Sequence, residues 1–171
     1  AFKKLPSILY EIPKYGTINL HASLLPNYRG AAPINWCLIN NETYTGVSII
    51  KINEKIDYGD ILMQKKVLID KNDDFETLKD KLSVIGSRIL YKTIVLILKN
   101  QIQGKKQVIS KNDKLAPKLN TKNTRIDWDD SIDLIIGKIK GLNPKPGAWT
   151  ILLNGDDQVR MKIFKARLIN Y

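Results

Sequence analysis

Phe75, Leu78, Leu82, Ile85 and Ile89 recur at spacings of three and four, the period of one apolar face on a helix. Asp73 and Glu76 have capping-box-like spacing at its start, and the helix is expected to run to about Gln103 and stop at Gly104. A stripe of that length must be buried against something. The residues ahead of it supply β-rich runs: a short strand at 17–21, then "GVSIIKI" (46–52) and "ILMQKKVLI" (61–69) flanking "NEKIDYGD" as a strand–loop–strand unit. Between them "AAPINWCLINN" reads as a helix, with Pro33 in its first turn and Asn40 and Asn41 suited to end it. The class is therefore α/β. One strand, one helix and a hairpin make only half of such a sheet.

Beyond Gly104, "GKKQVISKNDKLAPKLNTKNT" is polar and lysine-rich and reads as a linker crossing a surface. "RIDW" opens a second unit. Ile132, Ile135, Ile136 and Ile139 share a helical face, stopped by Asn143 and Pro144. "AWTILL" and "QVRMKIFKARLI" flank the hairpin signal "NGDD". Two strands and one helix cannot bury a core alone. Both units look cut, and the chain reads as an internal fragment of a longer protein.

The net charge of +11 is uneven: residues 104–171 carry 14 of the 28 Lys and Arg against 7 of the 17 acids. Two readings stand side by side, a lysine-rich composition or a polyanionic partner engaged by the C-terminal third. Cys37, the only cysteine, rules out an internal disulfide, and its place between Trp36 and Leu38 suits a buried thiol. The most apolar run, 89–98, is interrupted by Lys92 and falls short of the roughly 20 residues a membrane span needs. The first residues lack the pattern of a signal peptide.

The candidate site lies in "INLHASLLPNYRGAAP", which holds the single histidine. Strand alternation puts Ile18 and Leu20 on one face and Asn19 and His21 on the other, just before a loop. Polar groups at a strand end beside a loop are where open α/β sheets bind ligands. An amide and an imidazolium can both donate to an oxygen that becomes negative during reaction, and a carboxylate from "EKIDYGDI" can orient the imidazole and hold a proton. That trio suits acyl transfer from a carbonyl donor to an amine without a nucleophilic Ser or Cys. One imidazole with scattered carboxylates makes a poor metal set, and no phosphate-binding or dinucleotide fingerprint occurs.

"INLHASLLPNYRGAAPI" followed by "TGVSIIKINEKIDYGDIL" resembles the formyltransferase family that uses 10-formyltetrahydrofolate. Within it, "APKLNTKNTRIDW" and "NPKPGAW" look like the members that act on methionyl-initiator tRNA. The resemblance implies the C-terminal half of a Rossmann-like catalytic domain at 1–103, a basic linker at 104–122 and the beginning of an OB-like barrel at 123–171. It puts the family's catalytic residues on Asn19, His21 and Asp57, and its folate-contacting loop on Ser23, Leu24, Leu25 and Pro26. The implied co-substrate is 10-formyltetrahydrofolate and the implied partner is methionyl-initiator tRNA, with no metal, membrane or obligate protein partner. The expected location is the cytoplasm, or an organellar matrix in a eukaryote. Lys114, Lys118, Lys122 and Arg125 lie along the linker and its end, where phosphate contacts are expected. Rival readings are a sugar-nucleotide formyltransferase, the hydrolase-like domain of formyltetrahydrofolate dehydrogenase, or a non-catalytic RNA-binding module.

Overall fold

The computed structural model describes residues 4–169. After a one-turn helix α1 (Ser7–Tyr10) come strand β1 (Ile18–His21), the two-residue β2 (Arg29–Gly30) and helix α2 (Pro33–Ile39). Strands β3 (Tyr44–Lys51) and β4 (Ile61–Leu68) precede the long helix α3 (Phe75–Leu98). The two-residue β5 (Leu115–Ala116), helix α4 (Ile132–Leu142) and strands β6 (Ala148–Asn154) and β7 (Asp157–Ile163) complete the order.

β3 is the centre of a three-stranded sheet ordered β1-β3-β4, antiparallel throughout; the short β2–β5 ladder is parallel, as is an isolated bridge between Arg125 and Trp149. One face of this sheet is covered by α3. Val47 and Val67 pack there with Leu78 and Leu82, joined by Leu20, Ile85 and Ile89. The opposite face carries His21, Ser48 and Gln64, cross-strand neighbours in register. The alternation expected for β1 is therefore observed, and the apolar stripe of α3 explains why Asn19 and His21 face away from it.

Two expectations at the ends of α3 are corrected. The capping box is formed one residue later than its spacing suggested. Asp74 accepts from the Thr77 N–H at 3.0 Å, and the Thr77 hydroxyl accepts from the Asp74 N–H at 2.9 Å. Asp73 is instead buried against Lys81 at 2.7 Å. The helix also stops at Leu98, short of Gln103. Asn100 adopts a left-handed φ of 53°, and the Asn100 and Gln101 N–H groups turn back to the Ile97 and Leu96 carbonyls. That closure satisfies the terminal carbonyls, so the helix has no reason to continue to Gly104. Asn41 ends α2 in the same way, with φ 50°.

Residues 104–116 are stitched to the first unit. Lys105 exchanges two backbone hydrogen bonds with Ile61, and β5 pairs with β2. The second unit is not separate either: α4 lies across α2, where Ile39, Ile126, Ile139, Leu142 and Ala148 form one core. Gly137 and Gly141 make the crossing close, since a Cβ on either would sit 2.7 Å from an α2 carbonyl oxygen. The Asn35 amide donates to the Gly141 carbonyl at 2.7 Å in the gap.

Candidate active site

His21 is 6 % exposed at the end of β1, bonded at one nitrogen and faced by a carboxylate at the other. Its Nε2 donates to the Tyr28 carbonyl oxygen at 2.8 Å, and its Nδ1 faces Asp57 Oδ1 at 3.6 Å. The first is a hydrogen bond; the second is ion-pair reach, too long for a direct hydrogen bond. Because a carbonyl can only accept, Nε2 must carry a hydrogen, and Nδ1 is the nitrogen left to act toward the carboxylate. Asp57 belongs to the β3–β4 loop, and its other oxygen accepts the Gly30 N–H at 3.0 Å. Tyr28 and Asp57, the two residues that hold the imidazole, have left-handed φ values of 61° and 60°. Such values cost non-glycine residues energy and persist where surrounding structure enforces them.

Asn19, two residues before His21, is exposed on the same face of β1. A cavity of about 680 Å³ opens between them; its lining includes Asn19, His21, Ala31, Ile50, Ile56 and Asp57. The three residues singled out in the sequence thus meet in one cleft. The lining joins these three polar groups to apolar side chains, the make-up of a small-molecule pocket. Gly30 closes the site from behind: φ is 126°, and a Cβ there would lie 2.4 Å from the Ala116 carbonyl oxygen.

Ser23, Leu24, Leu25 and Pro26, the loop that the resemblance puts against the folate, are not among the residues lining this cavity. The loop folds back over the sheet. Ser48 Oγ donates to the Ser23 carbonyl at 2.6 Å and accepts from the Leu25 N–H at 3.1 Å, while the Gln64 amide donates to the Leu25 carbonyl at 2.9 Å. Ser23 and Leu25 are buried as a result. The loop backs the histidine. Lys114, Lys118, Lys122 and Arg125 are all exposed; Lys114 also pairs with Glu42 at 2.5 Å, and the Arg125 guanidinium lies 5.5 Å from the Trp149 ring centroid.

Several residues that hold the site escaped the sequence reading. Ser48 carried a signal, a lone polar residue inside the apolar run of β3. Gln107, which reaches the Asp57 loop from the strap that follows α3, carried none. Arg29 is buried, bonded to Asp113 at 3.0 Å and stacked 4.2 Å from the Tyr58 ring centroid. Cys37 is fully buried, and burial pushes its thiol up to about 11. Burial also pushes the Tyr28 phenol well above its usual range, helped by its bond to Glu42. Neither group is a nucleophile at neutral pH. Among the described residues no cluster of three or more His, Cys, Asp or Glu could hold a metal, and no helix is long and apolar enough to cross a membrane.

The formyl transferase signature matches residues 2–94, more than half of the chain, and the formyl transferase C-terminal domain signature matches residues 118–171. The chain belongs to the formyl transferase family. Family members of similar sequence include the methionyl-tRNA formyltransferases of Flavobacterium johnsoniae, 42% identical over 99% of this chain and 54% of that protein, and of Thermodesulfovibrio yellowstonii, 43% identical over 98% and 52%. The chain thus spans about half the length of these relatives. Among solved structures, the N-formyltransferase of Helicobacter canadensis, in complex with folinic acid and dTDP-3-aminofucose, is 27% identical with a TM-score of 0.66 over 72% of this chain and 46% of that one. A 4-N formyltransferase from Francisella tularensis, 21% identical, shares the fold at a TM-score of 0.75 over 98% of this chain and 69% of that one.

Proposed function

We propose that this chain is the catalytic core of an enzyme that transfers a formyl group from 10-formyltetrahydrofolate to the α-amino group of methionyl-initiator tRNA. One observation carries the reading: Asp57, held by the Gly30 N–H, faces His21 Nδ1 across a cleft that also exposes the Asn19 amide. The donor supplies an electrophilic formyl carbon. Asn19 donates to the formyl oxygen as it gains negative charge, and His21, protonated at both nitrogens, donates from Nδ1. Asp57 orients the imidazole, takes the proton that the attacking amine gives up and passes it to the departing nitrogen. A C–N bond forms as another breaks, with no covalent enzyme intermediate.

The apolar cleft wall fits a flat heteroaromatic co-substrate, and the Helicobacter canadensis relative is in complex with folinic acid. The tRNA reading is supported by relatives at about 40% identity that align with almost the entire chain. We further read 1–103 as the second half of a Rossmann-like domain, 104–122 as the basic linker and 123–171 as the opening of an OB-like barrel, working in the cytoplasm. The exposed Leu152, Val159 and Met161, which share one face of the β6–β7 hairpin, support the barrel assignment, as apolar side chains that a barrel would cover. Lys114, Lys118, Lys122 and Arg125 are then phosphate contacts.

A sugar-nucleotide substrate is the second reading, favoured by the dTDP-sugar relatives among solved structures. The full-length enzyme separates the two when offered charged initiator tRNA or a dTDP-amino sugar with 10-formyltetrahydrofolate. Preference for the tRNA by a factor of 10² or more in kcat/KM is expected; preference for the sugar would replace this proposal with the second reading.

A further inference from the structure

Three consecutive backbone carbonyls, those of Asp57, Tyr58 and Gly59, each accept a side-chain amide hydrogen. Asn53 supplies the middle one at 3.3 Å. The outer two come from a single group: Gln107 Nε2 donates to the Asp57 carbonyl at 2.9 Å and the Gly59 carbonyl at 2.8 Å. An amide nitrogen has two hydrogens, and here both are used on the loop that carries Asp57. The amide cannot serve in the other orientation, since a flip would aim its oxygen at two carbonyl oxygens. The strap bearing Gln107 is anchored on either side, by the Lys105–Ile61 pair before it and by Asp113, bonded to the buried Arg29, after it.

We infer that Gln107 is a positioning residue for Asp57: it clamps the loop in the left-handed conformation that turns the carboxylate toward His21. The inference rests on Asp57 acting in the transfer, as set out above. Asp57 φ is 60°, a conformation that aspartate adopts only at an energetic cost and that added contacts help to hold. Bridging the carbonyls of residues 57 and 59 fixes the backbone on both sides of Tyr58, while the Gly30 N–H fixes the carboxylate. Without the bridge, the carboxylate swings by a fraction of its own length. Misplacements on the scale of an ångström cost transfer reactions up to about 10²-fold.

The test uses the full-length enzyme and four variants: Gln107→Met, Gln107→Glu, Asp57→Asn and the Gln107→Met/Asp57→Asn pair. Gln107→Met keeps the shape and removes both donors. It should lower kcat about 10- to 100-fold with the KM for the folate donor changed by less than about threefold. Gln107→Glu, which puts a carboxylate against two carbonyls, should lose at least as much at pH 7.5, and it stands in if the Met protein does not fold. In the Asp57→Asn background, Gln107→Met should cost less than about twofold more, because the two act as one unit. A merely structural glutamine would add its full cost in both backgrounds, and that result overturns the inference. So do Gln107 variants with kcat near the parent value beside an impaired Asp57→Asn enzyme. A fully active Asp57→Asn enzyme removes the catalytic reading itself, and this inference with it.

Discussion

Gly30 concentrates three requirements in one residue. Its N–H holds Asp57, its φ of 126° lies outside the range of other residues, and a methyl group would strike the Ala116 carbonyl. Gly30→Ala should therefore destabilise the protein by about 1–3 kcal/mol and loosen Asp57; thermal unfolding alongside activity would detect both effects. Cys37 should resist alkylation by iodoacetamide at pH 8 in the native protein, because burial disfavours its thiolate; reaction at the rate of a free thiol would contradict its placement. At this scale the sequence was partly legible. Strand alternation alone placed Asn19 and His21 on one face. Asp57 lies 36 positions beyond His21 in the chain; chemistry suggested a carboxylate of its loop, and the likeness to a family singled out Asp57. Gln107 was illegible, since nothing in a polar strap marks the one amide that folds back on a loop 50 residues earlier.

Among the elements, α3 was the easiest to read and shows where such reading stops. Its apolar period predicted the buried face, and Leu78→Ala, at a position with no exposure, should cost about 2–5 kcal/mol in chemical denaturation. Its ends depended on single hydrogen bonds, which periodicity does not encode; Asp73 and Asp74 are equally good candidates until one is buried against Lys81. The Asp74 cap should be worth about 1 kcal/mol, measured as the loss in Asp74→Ala. Burial tends to raise the Asp74 carboxyl, but the Thr77 N–H and hydroxyl and the Asn143 amide favour the ionised form and hold it below its usual range. A lowered native value means that the cap contributes fully above the ordinary aspartate range and loses its contribution as pH falls through the native value. The stability difference between Asp74→Ala and the parent should accordingly shrink below about pH 4. A difference unchanged between pH 7 and pH 3 would contradict the cap.

For the molecule as a whole, the strap and α4 tie the basic C-terminal third to the elements that line the candidate cleft, where composition alone suggests a linker crossing a surface. Composition reported the positive charge but not that residues 105–116 lean on the Asp57 loop and on β2, because such contacts join positions far apart in the chain. If Lys114, Lys118, Lys122 and Arg125 contact phosphates, replacing all four with neutral residues should weaken tRNA binding. It should also flatten the log–log salt dependence by somewhat less than about one unit per charge, with folate binding unchanged. An unaltered slope would return them to the status of solvated side chains. His21, the group between Asn19 and Asp57, is central to the proposed reaction. Its test is the single-turnover rate of formyl transfer to methionyl-initiator tRNA by full-length His21→Ala enzyme, with both substrates saturating. A fall of about 10²-fold or more is predicted, with folate affinity within about threefold of the parent. Transfer at the parent rate would contradict the assignment of the cleft as the site of the reaction.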